Sequence, residues 1–197
     1  MKILHLISQR PDSTGSGIYI QAMLRQAQAR GHCNHLIAGI QTERRPELEC
    51  VSRERCSFVR FGGKDISDLI VGMSDVMPYR SRRFCDLGAE ELEEYEVCFA
   101  SRLETVAARF RPDLVHSHHL WILTSLARRT LGDLPLVATC HGSDLRQFEN
   151  CRHLRERVLA GCRRLNAVMA LSRVQKSDVE RLYGLPPRRL HVVGAGY

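Results

Sequence analysis

A chain of 197 residues, 44% hydrophobic and 26% charged, carries enough apolar material for one large globular domain and too much for a disordered segment. No run approaches the ~20 apolar residues of a membrane-spanning helix, and the opening stretch Ile3 to Ile7, interrupted by His5, is too short and polar for a signal peptide, so a cytoplasmic protein is expected. The net charge of +7 is carried by the segment from Leu145 to His191, where 11 Lys and Arg face 4 Asp and Glu; it lacks the interleaved aromatics of a single-strand binder, so nucleic acid is excluded as a partner.

Lys2 to Ser8 reads as a first buried strand, and Gln9 to Gly17, with Pro11, Ser13, Gly15 and Gly17, as a turn-rich loop. From Ser16 a helix follows, with Ile20, Met23, Leu24 and Ala27 at helical spacing and Gly31 as its stop. Strand, glycine loop and helix together aim backbone N–H groups and the positive end of a helix dipole at an anion. The full dinucleotide fingerprint is absent. Ile20 stands where the third glycine belongs, and the second strand, Cys33 to Ala38, runs into Gly39-Ile40 without an acidic residue to hold a ribose. No cofactor is therefore assigned.

A polar connection, Gln41 to Arg55, leads to a third strand, Cys56 to Phe61. Gly62 to Gly88 resists assignment; a loop of this length in a compact domain is functional or hides an element. Within it, Tyr79-Arg80-Ser81-Arg82-Arg83-Phe84 sets three cations between two aromatics, a solvated loop or a clamp in which Arg80 meets an anionic acceptor or a lipid surface. Ala89 to Phe110 is the clearest helix, with Leu92, Tyr95, Phe99, Leu103, Val106 and Phe110 in one stripe. Its glutamates crowd the start and its arginines the end, as the dipole favours, so no catalytic carboxylate is sought there.

Two apolar runs then end on chemically capable residues. Asp113-Leu114-Val115 runs into His116-Ser117-His118-His119, and Pro135 to Cys140 runs into His141-Gly142-Ser143-Asp144, with a helix over Leu120 to Leu131 between them. Short apolar runs of this kind are buried parallel strands, and open α/β sheets bind ligands outside the strands' carboxyl ends. His118, His119, His141, Ser143 and Asp144 are thus expected to face one crevice. Alternation puts His116 and His118 on one strand face and His119 on the other, which is awkward for three ligands on one metal. No metal site is assigned. His5 and His116 read as hydrogen-bonded core residues.

Cys151 to Arg164 reads as helix, Ala167 to Leu171 as strand, and Ser172 as the cap of a helix that Gly184 stops after Tyr183. Pro186-Pro187 forms a turn before a last strand, Leu190 to Val193. None of the eight cysteines forms a Cys-x-x-Cys pair, so all are expected to be reduced thiols acting as small hydrophobes. The alternation of strands and helices gives an α/β fold, a doubly wound, Rossmann-like parallel sheet of about seven strands with helices on both faces.

The chain resembles the amino-terminal domain of family 4 retaining glycosyltransferases, enzymes of the two-domain GT-B architecture. The resemblance rests on Met1-Lys2-Ile3-Leu4-His5, Thr14-Gly15-Ser16-Gly17, Arg30-Gly31-His32, Pro112-Asp113-Leu114-Val115-His116-Ser117-His118, Cys140-His141-Gly142-Ser143-Asp144, Ala170-Leu171-Ser172 and Leu182-Tyr183-Gly184. It implies that residues 1–193 form the acceptor-side domain and residues 194–197 the start of a linker to a donor-binding domain that is absent here. It implies transfer of a sugar from a nucleotide sugar to a glycan or lipid-linked acceptor, without a required metal and with peripheral membrane contact as a further partner. By the same resemblance Gly15 lies at the donor phosphate, His141 at the reaction centre and His118 on the acceptor side; from their own positions Ser16 and Gly17 join Gly15 as donor-phosphate candidates, Asp144 joins His141 as a catalytic one, and His119, Ser143 and Arg80 join His118 on the acceptor side. The sequence departs from the family in having Thr14-Gly15 where relatives often carry two glycines. Two other readings remain beside it: a non-catalytic binding module, and a metal-dependent hydrolase built on His116, His118, His119, His141 and Asp144.

Overall fold

The computed structural model describes residues 1–195 except 42–44, 47, 64 and 67–70, so Gly196 and Tyr197 of the expected linker fall outside the described residues. Strand β1 (Lys2–Ile7), helix α1 (Gly15–Ala29), β2 (Cys33–Gln41) and β3 (Cys56–Phe61) form the first half. After a small parallel pair, β4 (Val71–Gly72) with β5 (Arg82–Arg83), come α2 (Ala89–Phe110), β6 (Leu114–His118), α3 (Ile122–Leu131) and β7 (Leu136–Thr139). Then follow α4 (Ser143–Asn150), α5 (Arg155–Cys162), β8 (Ala167–Ala170), α6 (Arg173–Tyr183) and β9 (Leu190–Val192). The main sheet has seven strands in the order β3-β2-β1-β6-β7-β8-β9, every neighbour parallel. This is the expected doubly wound α/β fold. The order reverses between β1 and β6, and the crevice at such a reversal is where open sheets take ligands.

Alternation along the strands sorts the core into two faces. Leu4 and Leu6 of β1 join Leu92, Phe99 and Leu103 of α2 and the apolar stripe of α3 on one side. Ile7, Leu36, Ala38 and Ile40 meet Ile20 and Leu24 of α1 on the other. The ends of the helices follow from local chemistry. Thr14 caps α1, its hydroxyl accepting the Gly17 N–H at 3.1 Å, and Ser172 caps α6 by accepting the Gln175 N–H at 3.1 Å. Gly184, with φ of 65°, closes α6 in the left-handed conformation.

Two expectations are corrected, and one element appears that the sequence reading left unassigned. Residues Ser143–Asn150 are helical, an element that their polar composition hides: only Leu145 and Phe148 mark its buried face, too few for a readable stripe. The expected helix from Cys151 to Arg164 is accordingly shorter, beginning after a 3-10 turn at Arg152–Leu154. Cys85 and Cys151 form a disulfide, so these two are not the reduced thiols expected; the pairing joins residues 66 apart and could not be read from spacing. The described part of the unassigned stretch holds the β4–β5 pair and a 3-10 turn at Phe84–Asp86. No helix among the described residues is long and apolar enough to cross a membrane.

Candidate active site

The carboxyl ends of β1, β6, β7 and β8 open onto a cleft of about 980 Å³, bounded by α1, by residues 73–78 and by the chain after β9. Its floor is built from β-strand ends, where side chains of neighbouring parallel strands stand side by side. Gly15, Ser16, His119, His141 and Ser143 all line it. Among the described residues that line it none carries a charged side chain; hydroxyls of Ser13, Thr14, Ser16 and Ser143 and the ring of Tyr19 provide much of its polarity.

The α1 side of the cleft is organised by Gln9, a residue the sequence reading passed over. Its buried amide donates to Thr14 Oγ1 at 2.9 Å and to Ser16 Oγ at 2.8 Å, and its Oε1 accepts the Met73 N–H at 3.2 Å. One side chain thereby fixes the glycine loop against the opposite lip. A polar residue directly after a buried strand was the available signal. A Cβ at Gly15 would meet nothing within 4 Å, whereas at Gly17 it would lie 2.8 Å from the Pro11 carbonyl oxygen. Gly15 therefore borders open space, and Gly17, buried and off the cleft lining, is a packing glycine.

Two helix starts face this region with opposite electrostatics. The first turn of α1 contains no acidic residue, so its dipole is uncompensated. The start of α4 is already filled: Asp144 is fully buried, and its carboxylate accepts the backbone N–H groups of Leu120 (2.7 Å), His141 (3.2 Å) and Leu145 (3.2 Å). Asp144 thus lies beneath the crevice rather than facing it. What it does is hold the ends of β6 and β7 together.

The imidazoles stack into the protein from the cleft. His141 is half-buried, with Tyr19 edge-on to it and the ring centroids 5.2 Å apart. Beneath it, His118 Nδ1 is 3.2 Å from His141 Nε2, and His118 is only 1% exposed, so it supports His141 instead of lining the cleft. His119 departs from strand alternation because its φ of 74° turns the chain out of the extended conformation. Its ring comes to 4.9 Å from that of His141, on the cleft side. Burial pushes His119 down to about 4 and holds His118 and His141 well below the usual imidazole range. All three rings are neutral near neutral pH.

Arg80 is exposed and does not line the cleft. Its neighbours are committed elsewhere, Arg82 to Glu91 and Arg83 to Asp86, so the described contacts match a solvated loop. The hydrolase set does not assemble either: Asp144 is taken up by backbone amides, and among the described residues the group of three whose ring nitrogens all lie within 4.8 Å of one another is His5, His116 and His118.

The sequence matches the family model described as Glycosyltransferase Family 4 over residues 13–197. No protein in the curated set matches it in sequence. Solved structures share the fold at low identity. The lipopolysaccharide outer core galactosyltransferase WaaB in its apo form superposes with a TM-score of 0.63 at 10% identity, covering 98% of this chain and 45% of that one. Sucrose-phosphate synthase from Thermosynechococcus elongatus gives 0.58 at 15% identity, covering 98% and 48%. UDP-GlcNAc 2-epimerase from Neisseria meningitidis, bound to UDP-GlcNAc, gives 0.58 at 14% identity, covering 98% and 45%. The chain spans less than half the length of each.

Proposed function

Since the chain belongs to glycosyltransferase family 4, as the match over residues 13–197 shows, we propose that it is the acceptor-side half of a retaining, hexosyltransferase-type enzyme using a nucleotide sugar. The observation that carries this reading is that Gly15, at the start of an uncompensated helix dipole, and His141 open onto the same cleft. A leaving nucleoside diphosphate gains negative charge, which the amides at the start of α1 stabilise. Neutral His141 orients the acceptor hydroxyl, with His119 and Ser143 beside it and His118 behind. Asp144 acts by positioning the His141 backbone.

The uncharged cleft supports the remainder of the proposal. A diphosphate needs cations, and the cleft lining offers none among the described residues, so they come from a second domain that follows the linker beginning at residue 194. This half alone is then inactive. The outer cleft is apolar, with Ile18, Val76, Met77 and Pro78, which suits a lipid-linked acceptor drawn from the cytoplasmic face of a membrane.

In the full-length protein His141→Ala is expected to lower sugar transfer at least ~100-fold with folding intact. Wild-type rates would remove His141 from the mechanism. The anomeric configuration of the product, read by NMR, tests retention.

A further inference from the structure

Beneath the cleft, on the α1 face of the sheet, three buried histidines stand together. His116 and His118 are two residues apart on β6 and so share a face, and His5 on β1 is the direct register partner of His116. One ring nitrogen from each lies within 4.8 Å of the others. Each ring also makes one polar contact. His5 Nε2 meets Asn34 Oδ1 at 3.2 Å, His116 Nε2 meets Thr139 Oγ1 at 2.8 Å, and His118 Nδ1 meets His141 Nε2 at 3.2 Å.

One of these bonds fixes a tautomer. Asn34 Nδ2 donates to the Leu24 carbonyl at 3.0 Å, so Asn34 Oδ1 is the acceptor and His5 Nε2 carries the proton. The His5 lone pair is therefore on Nδ1, which is buried without a hydrogen-bond partner, as is His118 Nε2. Two unsatisfied nitrogens in one buried cluster call for an explanation. Ligating imidazoles characteristically hydrogen-bond through the nitrogen that does not bind the metal, and Asn34 and Thr139 supply that arrangement here.

We propose that His5, His116 and His118 bind one divalent transition ion of the imidazole-preferring kind, Zn²⁺ foremost. The set has no carboxylate or thiolate, which disfavours Mg²⁺, Ca²⁺ and iron–sulfur centres. The rings draw in to the ~2.0–2.1 Å zinc–nitrogen distance, and a water or hydroxide completes four-coordination. Entry is from the cleft floor, where His118 stacks on His141 with ring centroids 5.4 Å apart. The ion clips β1 to β6 below the reaction centre. With the metal on Nε2, His118 keeps its proton on Nδ1 and donates it to His141 Nε2, leaving the His141 proton on Nδ1.

The test is a titration of the chelator-stripped chain with Co²⁺, followed by Zn²⁺, with no activity readout, so it stands or falls apart from the sugar-transfer reading. One equivalent of Co²⁺ should give the visible absorption of a four-coordinate histidine site, and one equivalent of Zn²⁺ should displace it and raise Tm. His116→Gln, and separately His5→Asn, should abolish the spectrum, with circular dichroism confirming the fold. Asn34→Ala should weaken binding ~10–100-fold through the lost support of His5. The wild-type titration is decisive without the variants: absence of the four-coordinate spectrum overturns the proposal. So does an unchanged spectrum in folded His116→Gln, which would place the ion on the peripheral histidines.

Discussion

Gln9 and Met73 are joined by a hydrogen bond from the Met73 N–H to Gln9 Oε1 at 3.2 Å, which ties the loop before α1 to the far lip of the cleft. The other end of the same amide holds Thr14 and Ser16. Gln9→Leu removes one hydrogen bond from each of three groups and is expected to cost about 1–3 kcal/mol in denaturant unfolding. On the proposed function, the same variant in the full-length protein should raise KM for the donor, because the α1 amides lose their fixed orientation. Unchanged stability and KM would show that the loop is held by other means.

Gly15 and Gly17, two residues apart, should respond oppositely to the same change. Gly15→Ala meets nothing within 4 Å and is expected to keep Tm within a degree or two while reducing donor affinity, since its methyl projects where a phosphate would approach. Gly17→Ala drives a methyl into the Pro11 carbonyl and should lower stability by about 1–3 kcal/mol. Thermal melts and donor titration of the two variants separate a ligand-facing glycine from a packing one.

Stability should fall on the acid side of neutrality. Burial pushes His5 and His119 down to about 4 from an unperturbed 6.5, and holds His116 and His118 well below it. The unfolded chain therefore binds more protons than the folded one between about pH 4 and 6.5, so stability is full above 6.5 and is lost as pH drops through that window. Each such group contributes up to about 1.4 kcal/mol per pH unit. Tm measured with chelator present should be flat above pH 7 and decline steeply below about 6.5; a flat profile down to pH 5 would mean that these rings are hydrated.

The Cys85–Cys151 disulfide closes a loop of 66 residues and anchors the turn after β5 to the end of α4. Replacing both cysteines by serine is expected to cost about 2–5 kcal/mol. A thiol reductant should bring the wild-type Tm down to that of the double variant. Identical melts with and without reductant would show that the pair is not bonded in solution.

The order of strands and helices, the glycine loop and the two strand ends at His118 and His141 were legible in the sequence because each depends on local periodicity and turn chemistry, which neighbouring residues report. Helix α4 was not, since Leu145 and Phe148 alone carry its apolar face.

What the amino-acid order determined unaided was the α/β alternation and the family. Only the tertiary structure decided which polar residues face the cleft. Asp144 turned inward because backbone amides of three segments converge on its carboxylate, and His119 turned toward His141 because one left-handed residue ended the strand. His5 joined His116 across a strand pair 111 residues apart in sequence. Such convergence arises from long-range pairing of strands, and no local pattern encodes it.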